Sequence, residues 1–155
     1  MQADLCRFAV MTIQTMPPVR ARLRLASDPQ AVRDGLRQLL AAAPLCDLSE
    51  DVRGSAEIVL AEVLNNIVEH AYPGFAGLID VTLDYSHPTL SFEVVDTGHA
   101  MPCNRLPKGE LADLDDTVEL PEGGFGWFLI RNLTNGLAYS RVADRNTLAF
   151  WMDAQ

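Results

Sequence analysis

The apolar and polar positions between residues 60 and 72 predict an amphipathic helix. Its apolar residues recur at intervals of three and four, as one face of an α-helix requires. They are Leu60, Val63, Leu64, Ile67 and Ala71. Glu62, Asn66 and His70 follow one another at intervals of four, about 40° apart around the helix axis, and share the other side. One face therefore suits a hydrophobic core, and the other suits either solvent or the chemistry of a site.

The remaining pattern predicts strands and two further helices. Alternating apolar and polar residues predict five strands, at 21–25, 78–85, 89–96, 137–142 and 147–152. Helical spacing and capping residues predict helices at about 28–43, 49–72 and 122–135. The second and third strands are expected to form an antiparallel hairpin, and so are the last two. We therefore predict an α+β fold, a two-layer sandwich in which a mostly antiparallel sheet carries the helices on one face.

The chain divides into a short arm and one domain. Residues 1–20 have mixed composition and end in Met16-Pro17-Pro18, which predicts a loose or extended N-terminal arm. Residues 21–155 are long enough to bury a core of their own and are predicted to form a single domain. Residues 97–123 contain prolines, glycines and acidic residues without a clear period. A loop of this length inside a compact domain is typically either functional or disordered.

Charge and cysteine spacing exclude several classes of function. The chain has 12 basic and 21 acidic residues, a formal net charge of −9, which repels nucleic acid and anionic lipid. Neither a nucleic acid nor a membrane is therefore an expected partner. Cys6, Cys46 and Cys103 lack the spacing of metal ligands and do not indicate a disulfide framework. With no apolar run of 18 residues and no secretory signal in residues 1–20, we expect a cytoplasmic protein.

The polar side of the predicted helix at 49–72 carries the first candidate chemistry. The side-chain oxygen of Asn66 is a hard ligand that suits Mg²⁺. The carboxylate of Glu62, one turn earlier, can polarise a hydroxyl group or a water beside that ion. A solvated polar face would have the same spacing, so the spacing by itself leaves both interpretations open.

Two further motifs follow in the chain. Asp96-Thr97-Gly98 ends a strand, where the carboxylate can accept a hydrogen bond from the exocyclic amine of adenine and the glycine lets a backbone approach the ring. A simple Asp-Thr-Gly turn is the alternative. Gly123-Gly124-Phe125-Gly126 opens a predicted helix, whose free N–H groups can face phosphate oxygens, although glycines also serve as hinges. No Gly-Lys-Ser/Thr follows, so this is not a Walker motif.

Taken in order, these motifs resemble those of the GHKL ATPase family, whose fold is also called the Bergerat fold. ExxxNxxxHAY on a helix precedes DxG after a strand, and GGxG then opens a helix beyond a long loop. More narrowly, the chain is similar to the anti-sigma-factor serine/threonine kinases of bacteria, over roughly 21–152. The segments 62–72 and 123–130 carry most of that similarity.

The resemblance implies a role for residues on the long helix and at the adenine. Glu62 matches the acidic residue proposed as general base toward the substrate hydroxyl. Asn66 matches the asparagine that holds Mg²⁺ on the ATP phosphates, and Asn65 offers a competing amide one position away. His70 is interpreted as a packing or hydrogen-bonding residue, with a phosphate contact as the alternative. Asp96 matches the aspartate that binds adenine.

Further matches concern the surroundings of the nucleotide. Gly98 matches the glycine that allows close approach beside the adenine-binding aspartate, and Thr147 looks like the threonine that supports adenine through a water. The glycines expected near the phosphates are Gly123, Gly124 and Gly126. The family pattern is not complete, because Ala100 stands where many members have a second glycine and residues 102–120, the expected ATP lid, are acidic.

The resemblance also implies a function. Kinases of this kind transfer the γ-phosphate of ATP, bound with Mg²⁺, to a serine or threonine of an STAS-type anti-sigma-factor antagonist. They also sequester a sigma factor and are commonly homodimers. We therefore expect ATP and Mg²⁺ as cofactors, with the antagonist, the sigma factor and a second copy of the chain as partners. The alternative is a nucleotide-binding regulatory module that signals through partner contacts without phosphotransfer.

Overall fold

A computed structural model describes residues 18–109 and 125–155 of the chain. Most of the predicted arm, the second half of the long loop and the glycines Gly123 and Gly124 lie outside the described residues. The main elements are β1 (Val19–Ala26), α1 (Pro29–Leu40), α2 (Glu50–Asn66), β2 (Leu78–Ser86), β3 (Thr89–Asp96), α3 (Phe125–Leu133), β4 (Gly136–Val142) and β5 (Arg145–Asp153). Two 3₁₀ turns, Leu45–Asp47 and Pro102–Asn104, and a π turn, Ile67–Ala71, complete the described elements.

The five strands form one antiparallel sheet in the order β1-β2-β3-β5-β4. Alternate side chains of each strand point to one face, where Val81, Phe92 and Phe150 join the apolar sides of the helices in a single core. On the other face β1 presents exposed arginines, such as Arg20 and Arg24. The predicted α+β sandwich with helices on one face is therefore confirmed, as are both predicted hairpins.

The starts of α1 and α2 follow from their capping residues. The Oδ1 atom of Asp28 accepts hydrogen bonds from the backbone N–H groups of Gln30 at 3.0 Å and Ala31 at 2.9 Å. The Oγ atom of Ser49 accepts one from the N–H of Val52 at 3.4 Å. Such caps satisfy N–H groups that have no partner within the helix, and each typically contributes about 1 kcal/mol. Both helices therefore begin where the sequence predicts.

Several element ends differ from the prediction. β1 begins at Val19, so the last two residues of the predicted arm belong to the sheet. α1 ends three residues early, before Pro44, because the residue preceding a proline disfavours helical geometry. α3 ends at Leu133, because the backbone N–H of Asn135 donates to the carbonyl of Trp151 at 2.8 Å and so begins the pairing of β4.

None of the helices between residues 18 and 109 or between 125 and 155 combines the length and apolar character needed to cross a bilayer. The longest of them, α2, instead runs across the core of the domain. Its buried residues include Val59, Leu60 and Leu64, none of which is measurably exposed to solvent. Because α2 is packed this firmly, the polar residues at its C-terminal end have fixed positions relative to the sheet.

Candidate functional site

A cavity of about 500 Å³ lies between the C-terminal end of α2, the sheet and α3. Asn66 and His70 line it from the helix side, and Asp96 lines it from the end of β3. Asn146 and Leu148 on β5 form part of the opposite wall. The structure therefore brings together three of the predicted site residues, although they are up to 30 positions apart in the sequence.

Asp96 is a buried carboxylate with only 5 % of its surface exposed. It faces the core side because side chains alternate along β3, which places it on the same face as Phe92 and Val94. Its Oδ1 atom accepts hydrogen bonds from the backbone N–H of Gly98 and from Nδ2 of Asn146, both at 2.8 Å. Oδ2 makes no hydrogen bond to any described residue. Asp96 therefore forms the Asp-Thr-Gly turn with one oxygen and keeps the other as an acceptor.

Gly98 is needed for a close approach between the loop after β3 and the end of α2. A Cβ atom at this position would clash with the carbonyl oxygen of Ala71. The neighbouring backbone N–H of His99 donates to the same carbonyl at 2.8 Å. Gly98 is not among the residues that line the cavity. Its close partner in the structure is therefore the helix end, not the space where the sequence analysis expects an adenine ring.

The carbonyl of Ala71 is available because the last carbonyls of a helical segment have no partner within it. After Asn66 the chain continues as the π turn, which widens the helix by one residue per turn. The next residue, Tyr72, is buried and joins two strands, because its hydroxyl donates to the carbonyl of Leu78 at 3.1 Å and accepts from the N–H of Thr97 at 3.0 Å. Tyr72 thus holds the start of the loop directly after Asp96, a role that sequence spacing did not reveal.

The side chain of Asn66 has no hydrogen-bond partner in the part of the chain that the structure describes, and its Nδ2 atom is buried. An unsatisfied buried donor costs about 1–3 kcal/mol, so such a group indicates a site that a ligand completes. Asn65, the competing amide, is exposed and does not line the cavity. The geometry therefore favours Asn66 over Asn65 as the ligand-facing amide.

Glu62 lies one helical turn before Asn66 and meets the first turn of α3. A Cβ atom on Gly126 would clash with Oε2 of Glu62 and would lie 3.7 Å from Nδ2 of Asn66. Glycine at 126 therefore leaves the space that the carboxylate occupies. Glu62 is half-buried and is not among the residues that line the cavity. The three predicted residues Glu62, Asn66 and Gly126 are thus neighbours, with Glu62 at the edge of the cavity.

A Mg²⁺ ion beside Asn66 would receive most of its coordinating oxygens from a bound phosphate compound and from water. Within residues 18–109 and 125–155 no group of three or more His, Cys, Asp or Glu side chains could hold a metal ion. Mg²⁺ usually keeps several waters and is bound through one or two protein oxygens together with substrate phosphates. The side-chain oxygen of Asn66 could supply one such protein oxygen, with the carboxylate of Glu62 one turn away. This arrangement does not suit a metal site made of protein ligands alone.

His70 is exposed on the π turn and contributes to the rim of the cavity. Its ring makes no hydrogen bond to any residue that the structure describes, so the predicted hydrogen-bonding role has no partner there. His70 therefore remains a candidate by position alone.

Thr147 does not lie with the other predicted residues. On β5 the side chains of Asn146 and Leu148 face the cavity, so Thr147 between them points to the opposite face of the sheet, beside Val95. The expectation that Thr147 supports a ligand in the cavity is therefore contradicted by the alternation of side chains along the strand. Asn146, the cross-strand neighbour of Asp96, occupies the corresponding place.

Asn146 was missed because its importance depends on strand pairing. Single strands show only which residues alternate, and the local sequence does not state that Asn146 faces Asp96 across β3 and β5. Asn146 is only 3 % exposed, and its Oδ1 atom accepts from the hydroxyl of Tyr139 at 2.7 Å and from Nη1 of Arg141 at 2.6 Å. The wall of the cavity opposite α2 is therefore a hydrogen-bonded group of side chains from three strands.

Comparisons with known proteins agree with this architecture. A family model described as a histidine kinase-like ATPase domain matches residues 25–152. A serine-protein kinase RsbW from Bacillus cereus (strain ATCC 10987 / NRS 248) is 34 % identical over 83 residues, 52 % of either chain. An RsbW from Bacillus thuringiensis subsp. konkukian matches at the same identity and coverage. The chain thus spans about half the length of the curated relatives it matches.

A solved structure is similar in fold. The crystal structure of the RsbU and RsbW domains of a Mycobacterium tuberculosis protein aligns with a TM-score of 0.59 and 16 % identity. The alignment covers 88 % of this chain and 32 % of that one. At this identity the likeness concerns the arrangement of strands and helices, not the roles of single residues.

Proposed function

Because the chain belongs to the histidine kinase-like ATPase family, we propose that it binds ATP in the cavity between α2, the sheet and α3. We propose further that it transfers the γ-phosphate to a serine or threonine of a partner protein. The observation that carries the proposal is the pair of uncommitted polar groups on one cavity, the Asn66 amide and the second oxygen of Asp96.

These two groups suit the two ends of a nucleotide. Oδ2 of Asp96 would accept a hydrogen bond from the 6-amino group of adenine at the deep end of the cavity. The amide oxygen of Asn66 would bind Mg²⁺ on the phosphates at the end nearer α3. When bound, Mg²⁺ would neutralise part of the phosphate charge. Gly126 would keep the Glu62 carboxylate beside that end of the cavity, since a Cβ atom there would clash with Oε2 of Glu62.

Glu62 is the proposed general base. Phosphoryl transfer depends mainly on positioning and charge neutralisation, and a base that accepts the hydroxyl proton typically contributes about 10²–10⁴ in rate. Glu62 lies beside Asn66 and the first turn of α3, so its carboxylate is near the end of the cavity assigned to the phosphates. It would take the proton of the attacking hydroxyl as the oxygen bonds to the γ-phosphorus.

The partners proposed for this activity are an STAS-type anti-sigma-factor antagonist as the phosphorylated protein and a sigma factor as the sequestered one, with a homodimer as the working unit. The matched relatives are named serine-protein kinases, which supports the transfer step. One observation favours a second candidate, a nucleotide-binding module without phosphotransfer, because Glu62 stands outside the lining of the cavity.

Incubation with γ-labelled ATP, Mg²⁺ and a purified STAS-type protein tests the proposal. We expect label on a serine or threonine of that protein, and a loss of about 10²-fold or more in transfer rate for Glu62→Gln with ATP affinity retained. Glu57→Gln, an exposed carboxylate on the same helix, is the control and should transfer at the wild-type rate.

Two outcomes would decide against parts of the proposal. Nucleotide binding without label on any STAS-type protein would favour the regulatory module. Full transfer by Glu62→Gln would remove Glu62 from the mechanism while leaving the kinase assignment in place.

A further inference from the structure

The polar residues buried in the described core are Asp96 and Asn146, and they bond directly to each other. Their backbones already face each other in the ladder between β3 and β5, so the side-chain contact is an addition to the sheet pairing. Buried polar groups are costly unless they are paired, and a fully paired network fixes its members in one arrangement. The network around these two residues therefore restricts how Asp96 can present its carboxylate.

Arg141 helps to fix which way the amide of Asn146 points, together with the hydroxyl of Tyr139. The guanidinium group of Arg141 has only donors, and its Nη1 atom lies 2.6 Å from Oδ1 of Asn146. The other end of the amide, Nδ2, is surrounded by acceptors. They are Oδ1 of Asp96 at 2.8 Å and the backbone carbonyls of Gly98 at 3.3 Å and His99 at 3.1 Å. A reversed amide would set donor against donor and acceptor against acceptor, so only one orientation is compatible with these neighbours.

The fixed amide in turn determines which oxygen of Asp96 remains free. Nδ2 of Asn146 and the N–H of Gly98 both donate to Oδ1 of Asp96. A partial rotation of the carboxylate would weaken both bonds, so the second oxygen keeps its position as an acceptor without a partner among the described residues, on a residue that lines the cavity. Arg141 also donates from Nη1 to the carbonyl of Gly98 at 3.0 Å, which ties the loop after β3 to the same network.

Resting on the ATP-binding site proposed above, we propose that Arg141 and Asn146 are positioning residues that set base selectivity. Arg141 orients the amide of Asn146, and Asn146 holds Asp96 so that one oxygen meets the purine as an acceptor. That arrangement accepts the 6-amino group of adenine and opposes the 6-oxo group of hypoxanthine or guanine. Selectivity then depends on Asp96 together with two side chains that act through it.

Arg141 is the better residue to change first. Its side chain is 20 % exposed, and its ion pair with Asp144, at 3.5 Å, involves a carboxylate that is 97 % exposed. Arg141→Met keeps much of the length of the side chain and removes its donors. Arg145→Met provides a matched control, since Arg145 is an exposed arginine next to Asn146. Asn146→Leu removes the whole amide. Asn146→Thr replaces the amide by a hydroxyl group that can donate to Asp96 and accept from Tyr139.

The experiment measures the dissociation constants of ATP and inosine triphosphate, each with Mg²⁺, by calorimetry. The wild-type chain should prefer ATP, and Arg141→Met should reduce that preference roughly tenfold. This is the size expected when the hydrogen bond from the 6-amino group of adenine to the charged Asp96 is lost. The loss should fall on ATP, with inosine triphosphate affinity changed less than threefold, because the phosphate contacts are separate. Arg145→Met should keep the wild-type preference, and Asn146→Thr should keep more of it than Asn146→Leu.

The possible failures are distinguishable. If the wild-type chain binds neither nucleotide, the proposed ATP site is wrong and the selectivity role falls with it. If the wild-type chain prefers ATP and Arg141→Met shows the same preference, the positioning role is wrong and the ATP site stands. Equal losses for both nucleotides in Arg141→Met would also overturn the role, since a general loosening of the cavity predicts that result. Should Asn146→Leu fail to fold, the arginine pair still decides the matter.

Discussion

Adjacent asparagines on α2 have very different surroundings. Asn66 carries a buried amide nitrogen without a partner in the described structure, whereas Asn65 is exposed and can bond to water. A buried donor that lacks any partner typically costs about 1–3 kcal/mol relative to a satisfied one. A residue whose buried donor has no protein partner is a good candidate for ligand binding, because groups that serve function often lower stability.

Replacing Asn66 by alanine should separate binding from folding. We expect Asn66→Ala to lose the Mg²⁺-dependent part of ATP affinity, while the melting temperature of the free protein stays the same or rises. Asn65→Ala should keep both the affinity and its dependence on Mg²⁺. Calorimetric titration with ATP in Mg²⁺ and in EDTA measures the difference. If Asn66→Ala responds to Mg²⁺ as the wild type does, another residue must provide the protein ligand.

At the scale of elements, the site depends on how the end of α2 meets the loop after β3. The carbonyl of Ala71, at the end of the π turn, receives the N–H of His99 and leaves no room for a side chain on Gly98. Both contacts are between backbone groups, which cannot rotate away as a flexible side chain could. This junction fixes the distance between Asn66 on the helix and Asp96 on the strand.

Alanine at two glycines should therefore have opposite effects. Gly98→Ala should destabilise the fold by about 1–3 kcal/mol, because the new Cβ must displace the backbone of α2. Gly54→Ala should stabilise it by about 0.5–1 kcal/mol, since Gly54 lies inside α2 with no atom within 4 Å of the added Cβ. Urea unfolding of the two variants measures both changes. A neutral Gly98→Ala would show that the helix end can move without loss.

The faces of single elements were predictable, and the pairing between distant strands was not. Helical spacing predicts that Glu62, Asn66 and His70 share one side of α2, and of these Asn66 and His70 line the cavity while Glu62 lies at its edge. Thr147 was expected near the ligand and Asn146 was not considered, because the residue that faces Asp96 depends on the register of β5 against β3, about 50 positions away in the chain. The sequence pattern did not reveal the contact between Arg141 and Asn146 either, because it depends on the register of β4 against β5.

For the whole molecule, the fold class followed from the order of alternating and helical segments, and each predicted hairpin joined neighbours in the sequence. The remaining pairings, β1 with β2 and β3 with β5, bring together segments that are far apart. Local patterns do not specify such contacts, since many strand orders satisfy the same alternation. The insertion of β5 between β3 and β4 is thus the part of the fold that had to be observed.

Ligand binding should stabilise the whole domain. ATP with Mg²⁺ at a hundredfold excess over its dissociation constant adds about 2.7 kcal/mol, which raises the melting temperature of a domain of this size by roughly 5–10 °C. Differential scanning fluorimetry measures the shift, with Mg²⁺ alone as the control. Tripolyphosphate with Mg²⁺ should give a smaller shift because it cannot reach Asp96. An equal shift from tripolyphosphate would contradict a contribution from the base end of the cavity.

The central position of β5 has a consequence for how the protein is made. β5 follows the other four strands in the chain, yet it supplies the amide that holds Asp96 and must slot in beside β3. While the polypeptide is still emerging from the ribosome, Asp96 would lack its hydrogen bond to Asn146, and the edge of β3 that pairs with β5 would be unpaired. Competence to discriminate between bases would thus arrive only once translation has passed residue 146 and the final hairpin has closed.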